Sequence, residues 1–232
     1  MINNLLETNL YHNIEGVLFD MDGIVLDTEK LYTRFWMEAA QQLGYPMTWE
    51  QSLGMRSLNK TLGQEYLEKC FGPNISHARV RELRIRLMDA WIDQHGVDIK
   101  PGINELLDFL IQNNIPRAIT TSSPVYRVEK YLKPLGIYNK FNCICSGYEV
   151  EHGKPDPDIY LYGASKIKVD PSKCLALEDS PSGIESAYRA GCMTVLIPDL
   201  DTPGKESICK CFAIADSLKD IISLVKDVNG IM

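Results

Sequence analysis

Acidic side chains follow two apolar runs of this 232-residue chain, at points where buried strands would end. Asp20 and Asp22 come directly after the run 17–19, and Glu178 and Asp179 close a second apolar run. Buried carboxylates are costly unless a cation or hydrogen-bond donors compensate their charge. Because hard divalent cations prefer carboxylate oxygens and share them with phosphate groups, the two pairs indicate a site for magnesium and a phosphate.

Two hydroxyl side chains and a lysine would complete such a site. Thr121 and Ser122 lie at the end of another apolar run, and Lys154 lies in the sequence HGKPDPD. Ligands of an open α/β sheet bind at the carboxyl ends of its strands, so these residues would meet the carboxylates at one edge. The carboxylates repel one another unless a cation lies between them. Asp20 alone could be a turn or capping residue, but the full set in this order favours a phosphate site.

Strands and helices must alternate along the chain to bring these residues together. The predicted strands are residues 14–20, 116–121, 141–145, 174–178, 193–197 and 211–215. Between them, apolar periodicity predicts helices over residues 102–112, 124–135, 157–167 and 181–190, and a last helix from Ser217. This alternation predicts an α/β fold of Rossmann-like type, with a parallel sheet and right-handed crossovers.

A helical segment interrupts the alternation after the first strand. No strand pattern occurs within it, and periodic apolar residues predict helices, two of them over 58–71 and 80–92. We therefore expect residues 1–27 and 100–232 to form one α/β core domain, with a small all-helical domain, 28–99, inserted into it.

Arg56 is the first candidate for substrate contact in the helical domain. It lies in the sequence GMRSLN between two predicted helices. A solvated surface arginine is an equally good interpretation, because its aliphatic stem can pack while its head stays in water. Asn59 and Lys60 are weaker candidates.

These residues resemble the motifs of the haloacid dehalogenase superfamily of phosphohydrolases. Four motifs carry the resemblance: DMDG at 20–23, Thr121, Lys154, and the pair Glu178 and Asp179. The resemblance covers residues 14–198, and the helical insertion looks like the small helical cap of the β-phosphoglucomutase-like phosphatases. The dehalogenases themselves match less well, because they need neither magnesium nor the second aspartate of the first motif.

The resemblance implies a role for each motif. Asp20 would attack phosphorus and form an aspartyl phosphate, while Asp22 would protonate the leaving oxygen and then deprotonate the hydrolytic water. Thr121 and Lys154 would hold the transferring phosphoryl oxygens, and Ser122 is expected to contact substrate beside them. The implied magnesium ligands are Asp20, the main-chain carbonyl of Asp22, Asp179 and Glu178.

We therefore expect a magnesium-dependent phosphatase that acts on a small phosphorylated metabolite, with sugar phosphates favoured. A β-phosphoglucomutase-type mutase is the alternative, but Tyr32 occupies the position where the mutases would have a histidine, and tyrosine titrates too high to replace it. A non-catalytic, receiver-like domain phosphorylated on aspartate is a third interpretation. The chain length and the helical insertion argue against it.

Composition and charge exclude other classes. The formal net charge of −7 argues against nucleic-acid binding. No apolar run reaches the ~20 residues that a bilayer span needs, and the first residues lack the pattern of a signal peptide. We expect a soluble cytoplasmic protein that binds no membrane, and a monomer.

Overall fold

The computed structural model describes residues 3–4, 13–56, 58, 60–200 and 204–231. The chain divides into two compact units, Met1–Leu26 with Ile99–Met232, and Asp27–Asp98. The predicted domain boundaries lie one residue away at each of the two connections. Assignment of the second unit as a cap that selects substrate stays a prediction.

Seven strands of the described chain form one sheet in the first unit. In hydrogen-bonded order they are β1 (Asn3–Asn4), β7 (Ala213–Ile214), β6 (Met193–Leu196), β5 (Cys174–Glu178), β2 (Gly16–Phe19), β3 (Arg117–Thr121) and β4 (Cys143–Ser146). Strands β2 to β7 pair in parallel, and only β1 pairs antiparallel, with β7 at the sheet edge. Every residue of β2, β5 and β6 is buried, as expected for strands covered on both faces. The predicted parallel α/β sheet is confirmed.

The described helices of the first unit follow the predicted order, with one short helix that was not predicted. They are α5 (Ile103–Gln112), α6 (Val125–Leu132), α7 (Asp158–Ile167), α8 (Pro181–Arg189), α9 (Lys205–Ile208) and α10 (Leu218–Asn229), of which α9 is the one not predicted. Helix α7 contributes Ile159, Tyr160 and Ala164 to a buried cluster with Leu18 of β2 and Ala118 of β3. This packing fixes the start of α7 beside the carboxyl ends of the central strands. The prediction of 211–215 as a strand was too long, because only Ala213 and Ile214 pair with β6 and β1.

The second unit contains four helices in its described residues. They are α1 (Glu29–Gln42), α2 (Trp49–Leu53), α3 (Lys60–Phe71) and α4 (His77–His95). One buried apolar cluster of this unit contains Trp36, Ala39, Ala40, Met47, Met55, Leu67, Ile75 and Val80. The His77 ring stacks on Trp36 with 5.5 Å between centroids, and the Arg84 guanidinium lies 4.7 Å from the centre of the Tyr32 ring. The unit therefore has its own core. None of the helices in the described part of the chain combines the length and apolar character that a membrane span requires.

Candidate active site

The carboxyl ends of three neighbouring strands place the predicted acidic residues together. Strand β2 lies between β3 and β5. Asp20 directly follows β2, Thr121 ends β3, and Glu178 ends β5 with Asp179 next to it. All four side chains are buried. For the three carboxylates this is unusual, because Asp and Glu are rarely buried in proteins unless they are paired. The sheet order alone thus gathers side chains that are more than 150 residues apart in sequence.

Three carboxylates are close enough together to share one cation. Oxygen atoms of Asp20, Glu178 and Asp179 all lie within 4.8 Å of one another, and no other such group of His, Cys, Asp or Glu occurs among the described residues. An all-oxygen donor set of this kind suits Mg²⁺. The side chain of Asp22 is not part of this group, and a metal contact by its main-chain carbonyl stays a prediction.

Lys154 joins two of these carboxylates. Its Nζ lies 2.6 Å from Asp20 Oδ1 and 2.6 Å from Glu178 Oε1, and only 6% of its side chain is exposed. Burial by itself disfavours a charged ammonium, but the two carboxylates outweigh burial and raise the pKa of Lys154. The lysine therefore stays a cation at neutral pH, at the end of the strand that carries Asp20.

Both oxygens of Glu178 accept hydrogen bonds from the protein. Oε1 accepts from Lys154 Nζ and from the hydroxyl of Tyr160, at 2.6 and 2.5 Å. Oε2 accepts from Ser180 Oγ at 3.1 Å and from the main-chain N–H groups of Asp179 and Ser180. A Cβ atom at Gly183 would overlap the Glu178 carboxylate, so helix α8 can approach it only where a side chain is missing. Both oxygens of this glutamate are therefore held in place by the protein.

The protonation of Asp20 depends on whether a cation is present. In the protein alone, burial raises the pKa of Asp20 to about 8, Lys154 opposes this, and Glu178 and Asp22 add to it. Without a metal this carboxyl is therefore harder to ionise than an ordinary aspartate. A cation held by the acidic group would favour its ionised form, which is the form that can attack phosphorus.

Ser123, which was not among the predicted site residues, contacts Asp22. Its Oγ donates to Asp22 Oδ2 at 3.2 Å, and its N–H donates to Thr121 Oγ1 at 3.0 Å. Ser146 Oγ donates to the Ser123 carbonyl at 2.8 Å and so fixes the turn after β3. Ser122, the predicted substrate-binding residue, is exposed, and its contact with substrate stays a prediction. In this turn Thr121 and Ser123 are buried, and Ser122 between them is exposed.

Arg56 lies in the helical unit and is not a solvated surface arginine. Its Nε donates to Glu29 Oε2 at 2.8 Å, and only 10% of its side chain is exposed. That interpretation was wrong because α1 supplies a carboxylate beside the loop, which the sequence alone does not show. Substrate contact by Arg56 stays a prediction. Asn59 lies outside the described residues, and Lys60 is the exposed first residue of α3.

Comparisons with known proteins agree on one family. Residues 17–197 match the family model described as haloacid dehalogenase-like hydrolase. A phosphorylated carbohydrates phosphatase from Thermotoga maritima is 32% identical over 182 residues, which is 77% of this chain and 82% of that protein. A β-phosphoglucomutase from Bacillus subtilis is 28% identical over 78% of this chain and 82% of its own length. Among solved structures, a haloacid dehalogenase-type hydrolase of family IA, variant 3, from Entamoeba histolytica superimposes with a TM-score of 0.78 at 26% identity, covering 93% of this chain and 99% of that one.

Proposed function

Because the chain belongs to the haloacid dehalogenase-like hydrolase family and is a phosphoric monoester hydrolase of it, we propose that it hydrolyses a small phosphorylated metabolite through an aspartyl phosphate. A sugar phosphate is the favoured substrate class, since the similar Thermotoga maritima protein is named for phosphorylated carbohydrates. The single observation that carries the proposal is the position of Lys154 Nζ, 2.6 Å from both Asp20 and Glu178 at the carboxyl edge of the sheet. Lys154 thus offers a cation beside Asp20, the proposed nucleophile, where phosphate charge would develop.

Asp20 is the proposed nucleophile. One of its oxygens forms a bond to phosphorus while the bond from phosphorus to the leaving oxygen breaks, which leaves the phosphoryl group on Asp20. Asp22 gives its proton to the leaving oxygen. It then takes a proton from the water that attacks phosphorus while the bond from phosphorus to the Asp20 oxygen breaks. Inorganic phosphate leaves, Asp20 is free again, and one carboxyl has served as acid and then as base. The hydrogen bond from Ser123 to Asp22 Oδ2 fixes the orientation of that carboxyl.

Thr121 and Lys154 are the proposed ligands of the phosphoryl oxygens. In phosphoryl transfer the negative charge is spread over three oxygens, so fixed donors and cations around them lower the barrier. Mg²⁺ is the proposed cofactor, with Asp20, Asp179, Glu178 and the Asp22 main-chain carbonyl as the residues that would hold it. When bound, it supplies a positive charge that offsets the repulsion between the Asp20 carboxylate and an anionic phosphate.

A phosphomutase is the second candidate, favoured by the similarity to a β-phosphoglucomutase. Tyr32 weighs against it, because its ring packs against the Arg84 guanidinium inside the helical unit and a tyrosine is a poor acid or base at neutral pH. The two functions differ in their products. A mutase converts a hexose 1-phosphate only in the presence of a bisphosphate activator, whereas a phosphatase releases inorganic phosphate without one.

A substrate panel tests the proposal. The purified chain is incubated with sugar phosphates, polyol phosphates and nucleotides, with Mg²⁺ and separately with a chelator, and inorganic phosphate is measured. We expect magnesium-dependent release from at least one sugar phosphate without a bisphosphate activator. No release from any member of the panel would refute the proposed function, and product only with the activator would establish the mutase instead.

A further inference from the structure

Tyr160 contacts the centre of the acidic site from helix α7. The residue is completely buried, and its hydroxyl donates to Glu178 Oε1 at 2.5 Å. The same oxygen accepts from Lys154 Nζ, which lies 5.1 Å from the centre of the Tyr160 ring. One tyrosine therefore contacts both partners of the buried ion pair, although neither sequence periodicity nor the proposed mechanism uses it.

We propose that Tyr160 is a positioning residue, whose hydroxyl and ring hold Glu178 and Lys154 so that Lys154 Nζ stays on Asp20 Oδ1. The inference rests on the proposed function and adds a residue to it. Lysine has a flexible stem, and its ammonium can move between acceptors at little cost. The Tyr160 hydroxyl and the Lys154 ammonium donate to the same oxygen, Glu178 Oε1. Rotation of the Glu178 carboxylate would break the hydrogen bond to Tyr160, so this bond keeps Lys154 within reach of Asp20.

The rest of the Glu178 carboxylate is fixed from the opposite side. Oε2 is bound by Ser180 and by main-chain N–H groups at the start of α8. Tyr160 of α7 thus donates to Oε1, and the residues that lead into α8 donate to Oε2. A hydrogen bond to an ionised acceptor in a buried place is stronger than one to a neutral group. The hydroxyl is therefore placed to restrain a catalytic geometry as well as to satisfy a buried tyrosine.

The packing of α7 explains how this restraint is held. Tyr160 lies in the apolar cluster that also contains Ile159, Ala164 and Leu18, so its ring has little freedom. Lys154 precedes the same helix by four residues, in the loop between β4 and α7. The sequence KPDPDIY therefore places Lys154 in a loop and Tyr160, which restrains it, in the first turn of the next helix.

Replacement of Tyr160 by phenylalanine tests the inference, because it removes the hydroxyl and keeps the ring. We expect kcat for phosphate release to fall by about 10- to 100-fold with KM for the substrate within about 2-fold, since small displacements of catalytic groups act mainly on the transition state. Thermal unfolding is also measured without substrate over a series of Mg²⁺ concentrations. The Mg²⁺ concentration that gives half of the full rise in Tm, called the Mg²⁺ midpoint, should be several-fold higher in the variant, because the Glu178 carboxylate is less ordered without the tyrosine hydroxyl.

Tyr131→Phe is the matched control. Tyr131 is a buried tyrosine, 2% exposed, in the last turn of α6, a helix that begins just after the carboxyl end of β3 and runs away from it. The control should lose stability to a similar extent as Tyr160→Phe but keep kcat and the Mg²⁺ midpoint of the wild type. If both variants change kcat equally, or if Tyr160→Phe has wild-type kcat and Mg²⁺ midpoint, the positioning role is refuted.

A double substitution shows whether Tyr160 acts through Glu178. If it does, Tyr160→Phe combined with Glu178→Gln should be no slower than Glu178→Gln alone. Losses that multiply would contradict the inference. Wild-type turnover is measured in the same series: a wild type without any magnesium-dependent phosphate release refutes the proposed function, whereas an active wild type with a fully active Tyr160→Phe variant refutes only the role of Tyr160.

Discussion

At the scale of single residues, burial and three charged neighbours compete for the proton of Asp20. Burial raises its pKa to about 8, and Lys154 only partly opposes the shift. Lys154 in contrast has a raised pKa, because its two carboxylate neighbours outweigh its burial. A buried acid whose ionised form a bound cation would favour is a good candidate for a metal-dependent nucleophile.

The raised pKa of Asp20 predicts how the metal-free protein responds to pH. A carboxyl with a higher pKa in the folded state binds its proton more tightly there, so its contribution to stability is complete below about pH 4 and is lost as pH rises towards 8. In the presence of a chelator, the wild type should therefore lose more thermal stability between pH 5 and 8.5 than Asp20→Asn. Added Mg²⁺ should restore the wild type. Parallel pH profiles of Tm for the two proteins would contradict the assigned shift.

Asp22→Ala separates formation of the aspartyl phosphate from its hydrolysis. An aryl phosphate has a good leaving group and depends little on a general acid, whereas attack of water still needs a general base. The variant should give a rapid burst of phenol close to one equivalent, followed by slow turnover, and mass spectrometry should find phosphate on the peptide with Asp20. Linear release from the first turnover, with no phosphorylated peptide, would remove the acid and base role of Asp22.

At the scale of secondary-structure elements, the start of α8 shapes the acidic group. Ser180 caps the helix by accepting from the N–H of Gly183 at 3.1 Å, and the same hydroxyl donates to Glu178. Pro181 follows as the first helical residue, a position that suits its fixed φ. The close approach of Gly183 to Glu178 is then a consequence of how strand β5 turns into this helix.

Gly183→Ala tests that close approach. The added methyl group would overlap the Glu178 carboxylate, so we expect a loss of about 1–3 kcal/mol in the free energy of unfolding and a large loss of phosphate release. Gly204→Ala is the control, because a Cβ there meets no described atom within 4 Å. Urea unfolding and kcat are measured for both variants. A fully active Gly183→Ala protein of wild-type stability would show that Glu178 has room to move.

His77 links the helical unit to pH. Burial, Arg81 and Arg84 lower the pKa of this histidine, and its Nδ1 has no hydrogen-bond partner among the described residues. A group with a depressed pKa in the folded state favours folding above its unfolded value of 6.5, and that contribution is lost as pH falls below it. The helical unit should therefore become less stable between pH 7 and pH 5.

The tryptophans give a selective readout for this prediction. All three lie within residues 27–98, so the change in their fluorescence on urea unfolding reports on the helical unit. The wild type should lose stability between pH 7 and pH 5 by more than His77→Phe, which keeps an aromatic ring against Trp36. Equal losses in both proteins would show that other groups cause the pH dependence.

At the scale of the whole molecule, the sequence predicts long periodic elements well and short ones poorly. Alternating apolar runs located the six parallel strands, but α2 has five residues and β1 has two, too few to show a period. Likewise the sequence predicts Thr121 at the site but does not show which of the next two residues, Ser122 or Ser123, points inward. That depends on the backbone of the turn after β3, which buries Ser123 and exposes Ser122. Tyr160 was missed because a tyrosine on a helix is usually a core residue, and only the sheet order places it beside Glu178.

The net charge of −7 means that the whole protein mildly repels an anionic substrate at long range. Long-range attraction would not draw an anionic substrate to this protein, so phosphate recognition must be local. Lys154 supplies the local cation, and the acidic group supplies the place for a second. Both of these cations would contact Asp20, so the proposed chemistry depends on that residue.

The role of Asp20 as the nucleophile is tested by measuring magnesium-dependent phosphate release by the wild type and by Asp20→Asn side by side, on the best substrate of the panel. The substitution keeps the size of the side chain and removes the nucleophile. We predict release by the wild type with Mg²⁺, none with a chelator, and none by Asp20→Asn, whose thermal midpoint should equal or exceed that of the wild type. An Asp20→Asn protein that still releases phosphate at a comparable rate would contradict the assignment of Asp20 as the nucleophile.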